Sequence, residues 1–118
     1  MNFQIDIPTH IIFGSGSIKE LGRNAAKHGR KAFLLTMKDM EKNGLLEEAL
    51  KSLRKAKIDV HVSVNCKPEP TSQSLDSLRD EVVGSKSDFI IGIGGGSVLD
   101  SAKAVAILAT NSGEIWEY

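Results

Sequence analysis

An apolar run, Phe89-Ile90-Ile91-Gly92-Ile93, passes into Gly94-Gly95-Gly96-Ser97 and then into Val98-Leu99-Asp100-Ser101-Ala102-Lys103. Three consecutive glycines leave the turn without a Cβ, so backbone N–H groups can approach an anion. At the start of a following helix the macrodipole favours negative charge. The chemistry on offer is a pyrophosphate cradle. The segment departs from the common dinucleotide fingerprint, because Gly92 and Gly94 fit G-x-G but Ser97 stands where the third glycine belongs. Ser97 with Asp100 also reads as a helix-capping box, a role compatible with a phosphate contact. Lys103 places a cation in the early helix turns, against the macrodipole, balanced by a bound anion, by Asp100 or by solvent.

Other residues of chemical type give weaker signals. Gly14-Ser15-Gly16 precedes a second helical pattern and offers another anion site, or a plain turn, which is the simpler reading. His10, His28 and His61 form no recognisable metal-ligand spacing with each other or with a carboxylate. Cys66 is the single cysteine, which excludes an intrachain disulfide and fits a reducing compartment, and it is read as an ordinary loop thiol.

The elements that must position the cradle follow from periodicity. Phe3-Ile5-Ile7 and Ile11-Ile12-Phe13, separated by Pro8-Thr9-His10, predict an N-terminal β-hairpin. Ser17 and Glu20 suggest a capping box before a helix carrying Ile18, Leu21, Ala25 and Ala26 and ending near Gly29. Lys31 to Thr36 is a short apolar strand. Asn43-Gly44 opens a helix with Leu45, Leu46, Ala49, Leu50 and Leu53 on one stripe. Ile58, Val60, Val62 and Val64 alternate with Asp59, His61 and Ser63, which predicts a strand with one polar face near a sheet edge. Thr71 caps a helix with Leu75, Leu78, Val82 and Val83. The strand after it is apolar throughout, as in a parallel sheet covered on both faces, and the helix through Ala109 is apolar enough for close burial. Helix-strand alternation gives an α/β fold, a Rossmann-like parallel sheet with flanking helices.

Composition narrows the function classes. With 41% hydrophobic and 25% charged residues the 118-residue chain reads as one soluble domain. Fifteen basic and fifteen acidic residues are scattered, which argues against a nucleic-acid partner. No apolar run approaches a membrane span and no secretory leader is legible, so the expected location is cytoplasmic, with no membrane partner.

The residues Gly94-Gly95-Gly96-Ser97-x-x-Asp100-x-Ala102-Lys103 resemble the signature of the iron-containing (group III) alcohol dehydrogenases. Phe13-Gly14-x-Gly16 with Leu21-Gly22, Lys42-Asn43-Gly44-Leu45, Pro68-Glu69-Pro70-Thr71, and Thr110-Asn111-x-Gly113 with Ile115-Trp116 stand in the family's order and approximate spacing. The resemblance covers essentially the whole chain. It implies hydride transfer between NAD or NADP and a small alcohol or aldehyde. Gly94, Gly95, Gly96 and Ser97 would hold the cofactor pyrophosphate, and Asp100 would lie toward its nicotinamide end. It further implies a divalent metal, iron or zinc, bound by a helical C-terminal domain, so residues 1–118 are expected to be an incomplete N-terminal dinucleotide-binding domain, truncated and inactive alone. Many members carry Asp where Met37 stands and Asn where Glu69 stands. Met37 removes a charge that would repel a 2′-phosphate and Lys38 adds a favourable one, so NADP is expected to be tolerated; Glu69 can accept from a ribose hydroxyl, or be a solvated loop residue.

Two alternatives accompany this reading: a stand-alone nucleotide-binding module or relic without catalysis, and a relative acting on glycerol. Ser97 weighs mildly against the second. Truncation is expected to expose apolar surface around Ile93, Val105, Ile107 and Trp116, and with the N-terminal strand this predicts a homodimer or other self-association.

Overall fold

The computed structural model describes residues 2–4 and 9–111. Its centre is β1 (Lys31–Leu35), in which Ala32, Phe33, Leu34 and Leu35 are fully buried. β1 pairs in parallel with β2 (Asp59–Ser63) on one side and with β3 (Phe89–Gly92) on the other, giving the order β2-β1-β3. Phe33 lies between His61 and Ile90 in register. Successive strand side chains alternate faces, so Ala32 and Leu34 enter one core and Phe33 and Leu35 the other.

The first core is closed by α1 (Leu21–Ala25) and α2 (Leu45–Lys55), the second by α3 (Ser72–Ser85) and α4 (Gly96–Thr110). The stripe read in α2 buries Leu46, Ala49 and Leu53, each large side chain contributing roughly 1.5–3 kcal/mol by leaving water. Gly44 takes the left-handed conformation before α2, and the Asn43 side-chain oxygen accepts the Leu45 N–H at 3.0 Å. Thr71 caps α3, accepting from Ser74 N–H while the Ser74 hydroxyl accepts from Thr71 N–H. α1 and α2 approach closely because residue 22 is glycine: a Cβ there would lie 2.2 Å from the Ser52 carbonyl oxygen.

Asp88 closes the N-terminal end of the sheet, its carboxylate accepting the Arg30 and Lys31 N–H groups at 2.9 and 3.0 Å. Those two backbone donors hold the Asp88 carboxyl below its usual range.

Several expectations are corrected. Residues 9–13 carry no strand, and Ile11 and Phe13 are exposed. Residues 5–8 of the expected hairpin lie outside the described residues. Ser17–Glu20 forms a 3-10 helix behind Gly16 with no side-chain cap, because Glu20 instead pairs with Arg23. β2 lies at an edge of the described sheet, but its polar face turns inward: Ser63 is buried while Val62 is 39% exposed. Ile93 and Val105 are buried, so of the surface expected to be bare only Ile107, 44% exposed, is open among described residues; Trp116 lies outside them. α4 is half covered, burying Val98, Ser101, Val105 and Leu108 and exposing Leu99 and Ile107.

Candidate functional site

From β1 the chain crosses to β2 on one side, and from β2 it returns past β1 to β3 on the other. Such a reversal opens a crevice at the C-terminal ends of the two strands that flank it, here β1 and β3. Three loops leave the sheet at this end, and short contacts tie them together. Thr36 N–H donates to the Ser63 carbonyl at 3.0 Å and Ile93 N–H to the Leu35 carbonyl at 2.9 Å. Met37 bridges Asn65 in antiparallel fashion. The Ser97 hydroxyl donates to the Pro68 carbonyl at 2.9 Å, clipping the loop after β2 to the start of α4.

The glycines at the end of β3 and in the turn after it are there for different reasons. Gly94 has φ +152°, and a Cβ on it would lie 2.7 Å from Val98 Cγ2, so the fold itself demands glycine. At Gly92 a Cβ would meet the Ala102 Cβ at 3.1 Å, which brings α4 close to β3. At Gly95 and Gly96 a Cβ would meet nothing within 4 Å, and Gly95 has φ −80°, open to any residue. Nothing among the described residues requires these two glycines. The N–H groups of Gly94, Gly95, Gly96 and Ser97 donate to no described residue, whereas the next two, on Val98 and Leu99, return to the Gly95 carbonyl. Four free donors thus stand at the head of a 15-residue helix beside a surface cleared of Cβ atoms. The arrangement can bind an anion at close range.

The structure places the other candidates less tightly. Ser97 is not the N-cap: the helix begins at Gly96, two residues earlier than a Ser97 cap would place it, Gly95 takes the cap position, and the Ser97 hydroxyl is committed to Pro68. The expected Ser97–Asp100 box therefore does not form. Asp100 and Lys103 are exposed, and neither bonds to a described residue, so they do not pair with each other. Met37 packs against the core between the sheet, α3 and α4. Lys38 and Glu69 are exposed in the loops after β1 and β2, and no bond joins them. Cys66 lies in the loop after β2 and is buried, its Sγ 3.9 Å from the Ser97 carbonyl oxygen.

Sequence reasoning missed the groups that hold these loops. Thr36 is fully buried and its hydroxyl donates to the Ile93 carbonyl at 2.7 Å; its only trace is a hydroxyl residue ending an apolar strand. Glu81 of α3 gathers three partners from β2 and its exit: His61 Nε2 at 3.2 Å, the Ser63 hydroxyl at 2.9 Å and the Asn65 amide at 3.2 Å. Burial, the largest single influence, pushes the Glu81 carboxyl up, but the hydrogen bonds from His61, Asn65 and Ser63, with the charge on His61, together hold it below its usual range. The His61 ring also stacks on Phe33, with centroids 5.2 Å apart. Among the described residues no three His, Cys, Asp or Glu side chains come together as a metal-binding group. No helix among them is long and apolar enough to cross a membrane.

Residues 8–118 match the model of a family described as iron-containing alcohol dehydrogenase. The NAD-dependent methanol dehydrogenase of Bacillus methanolicus is 34% identical over 113 residues, 95% of this chain and 30% of its own length. The sulfoacetaldehyde reductase of Bilophila wadsworthia is 36% identical over 110 residues, 92% of this chain and 28% of its own. Among solved structures, the NADH-dependent butanol dehydrogenase A of Thermotoga maritima superposes with a TM-score of 0.89 at 35% identity, over 98% of this chain and 30% of that one. The chain thus spans less than a third of the length of these relatives.

Proposed function

The chain belongs to the iron-containing alcohol dehydrogenase family, and on that footing we propose that it is the dinucleotide-binding portion of an oxidoreductase that passes hydride between NAD or NADP and a small alcohol or aldehyde. The observation that carries this reading is the pair Gly95 and Gly96, glycines that no contact among the described residues requires, beside four N–H groups at the head of α4 with no acceptor among those residues. A pyrophosphate supplies the acceptors those donors lack. Gly94 shapes the turn, Gly95 and Gly96 give close backbone approach, Ser97 fixes the neighbouring loop, and Asp100, one turn into the helix with no partner of its own, faces the rest of the cofactor. Bound there, the nicotinamide would supply the hydride acceptor or donor. On this reading the chain's own part is to hold the nucleotide, and the divalent metal that the family's name implies would be held elsewhere in the protein.

The related enzymes are named for methanol, butanol and sulfoacetaldehyde, which supports a small alcohol or aldehyde and nothing finer. Neutral Met37 and exposed, unpaired Lys38 favour tolerance of the 2′-phosphate of NADP, and Glu69 favours a free ribose hydroxyl. The protein as a whole is proposed to be cytoplasmic and to self-associate, the latter on the exposure of Phe3, Ile11, Phe13 and Ile107; a monodisperse monomer in light scattering contradicts self-association. Calorimetric titration with NAD+ and NADP+ tests the main reading. Both are expected to bind with Kd on the order of 1 mM, since a cradle alone supplies only about 4 kcal/mol. Lys38→Ala is expected to weaken NADP+ selectively; equal loss for both nucleotides removes Lys38 as a selector. No binding of either nucleotide refutes the reading for this chain.

A further inference from the structure

At the C-terminal end of β1 the parallel ladder splits. Leu35 pairs with Gly92, and Ile93 N–H still donates to the Leu35 carbonyl. The next step of a parallel ladder would bring Met37 N–H to the Ile93 carbonyl. Met37 instead bridges Asn65, on the β2 side. Among the described residues this leaves the Ile93 carbonyl without a backbone donor, just before Gly94, in a place where burial makes an unsatisfied acceptor costly. The Thr36 hydroxyl takes the vacant step at 2.7 Å, from a side chain with no solvent exposure.

The geometry points to Thr36 as a positioning residue: through the Ile93 carbonyl it fixes the peptide plane between Ile93 and Gly94, and so the direction in which the free amides of the glycine turn point. A trans peptide holds its N–H opposite its C=O, so anchoring the Ile93 oxygen toward β1 turns the Gly94 N–H away from it. Gly94, at φ +152°, has no side chain to restrain its own rotation, and the outer bond is what defines it. Thr36 touches no ligand itself. Its effect on nucleotide binding rests on the cofactor reading above; its control of the turn does not.

Thr36→Val keeps the shape and deletes the hydroxyl, Thr36→Ser keeps the hydroxyl, and Ser85→Ala removes a buried hydroxyl bond, Ser85 to the Val82 carbonyl, at the opposite end of the sheet. The readouts are the amide NMR shifts and exchange rates of Gly94, Gly95 and Gly96 without ligand, and NAD+ affinity by titration. Thr36→Val is expected to move the three glycine amides and speed their exchange, and to weaken NAD+ by roughly 5- to 10-fold. Thr36→Ser restores both, and Ser85→Ala lowers thermal stability without either change. Glycine amides unmoved by Thr36→Val, or not restored by Thr36→Ser, overturn the assignment. A chain that binds no NAD+ while Thr36→Val still moves those amides refutes the cofactor reading and leaves Thr36 in its role. If Thr36→Val fails to fold, the unmodified chain decides: a slowly exchanging Thr36 hydroxyl proton coupled to the Ile93 carbonyl carbon is expected, and a freely exchanging one overturns the proposal.

Discussion

At the N-terminal end of the sheet, Gly29 sits at φ +151° with Asp88 against it, so that a Cβ would lie 2.5 Å from the Asp88 Cβ; at the C-terminal end, a Cβ on Gly95 or Gly96 would meet nothing. The first glycine answers to its own chain. The other two answer to nothing among the described residues. At the closed end Asp88 satisfies the backbone donors of Arg30 and Lys31, whereas at the open end four consecutive donors find no acceptor among the described residues. A glycine that the fold explains is evidence about stability, and one that it leaves unexplained points to a ligand. The same test weakens Gly14-Ser15-Gly16 as an anion site, since Gly14 and Gly16 both have positive φ, which the turn itself requires.

If this contrast holds, substitutions at the closed end cost stability. The largest effect is expected for Gly29→Ala, which meets both a disfavoured φ and Asp88: a loss on the order of 3 kcal/mol, read from the urea midpoint. A loss under about 1 kcal/mol would show that the turn relaxes and that the contrast is weaker than drawn.

Glu81 comes next. Glu81→Gln replaces an acceptor of three hydrogen bonds with a group that cannot accept all of them, and is expected to cost about 1 kcal/mol at neutral pH, a value already reduced for its partial exposure. The pH dependence has a definite sign. Folding lowers the Glu81 and Asp88 carboxyls below their ordinary values, so the stability each contributes is complete above the unfolded value and is lost as pH falls through the folded one. Below about pH 4–5 the unmodified chain should lose stability, and Glu81→Gln and Asp88→Asn should each flatten that limb, Asp88→Asn less because its carboxylate is solvent-screened. An unchanged acid limb in both variants contradicts these assignments. The smallest expected effect is Ser97→Ala, which frees the Pro68 carbonyl at an exposed site for water to satisfy: about 0.5 kcal/mol in the thermal midpoint, with faster amide exchange in the loop from Cys66 to Pro70.

The alternation of apolar segments made the helix-strand order legible, because each element buries one stripe or face and periodicity records which. The glycine turn was legible for a different reason, since three adjacent residues without side chains are unusual in any setting. What stayed hidden are bonds between residues distant in sequence. Ser97 looked like a cap because Asp100 follows at the right spacing, and only the arrival of Pro68 from another loop gives its hydroxyl a different acceptor. Ser63 and His61 looked solvated because they alternate with valines, and Glu81, 18 and 20 residues away, turns that face inward. Thr36 gave almost no sign, since its partner is a carbonyl and a carbonyl belongs to every residue.

The most direct measurement is made on Gly96→Ala, by calorimetric NAD+ titration beside a thermal melt. Gly96 is the first residue of α4 and has room for a methyl group, so alanine should leave stability unchanged or raise it by about 0.5 kcal/mol. If a pyrophosphate rests against that backbone, the same methyl group should weaken NAD+ by roughly tenfold or more. A melt that holds or rises while binding is lost is the predicted result; unaltered NAD+ affinity in a stable Gly96→Ala chain would contradict the account.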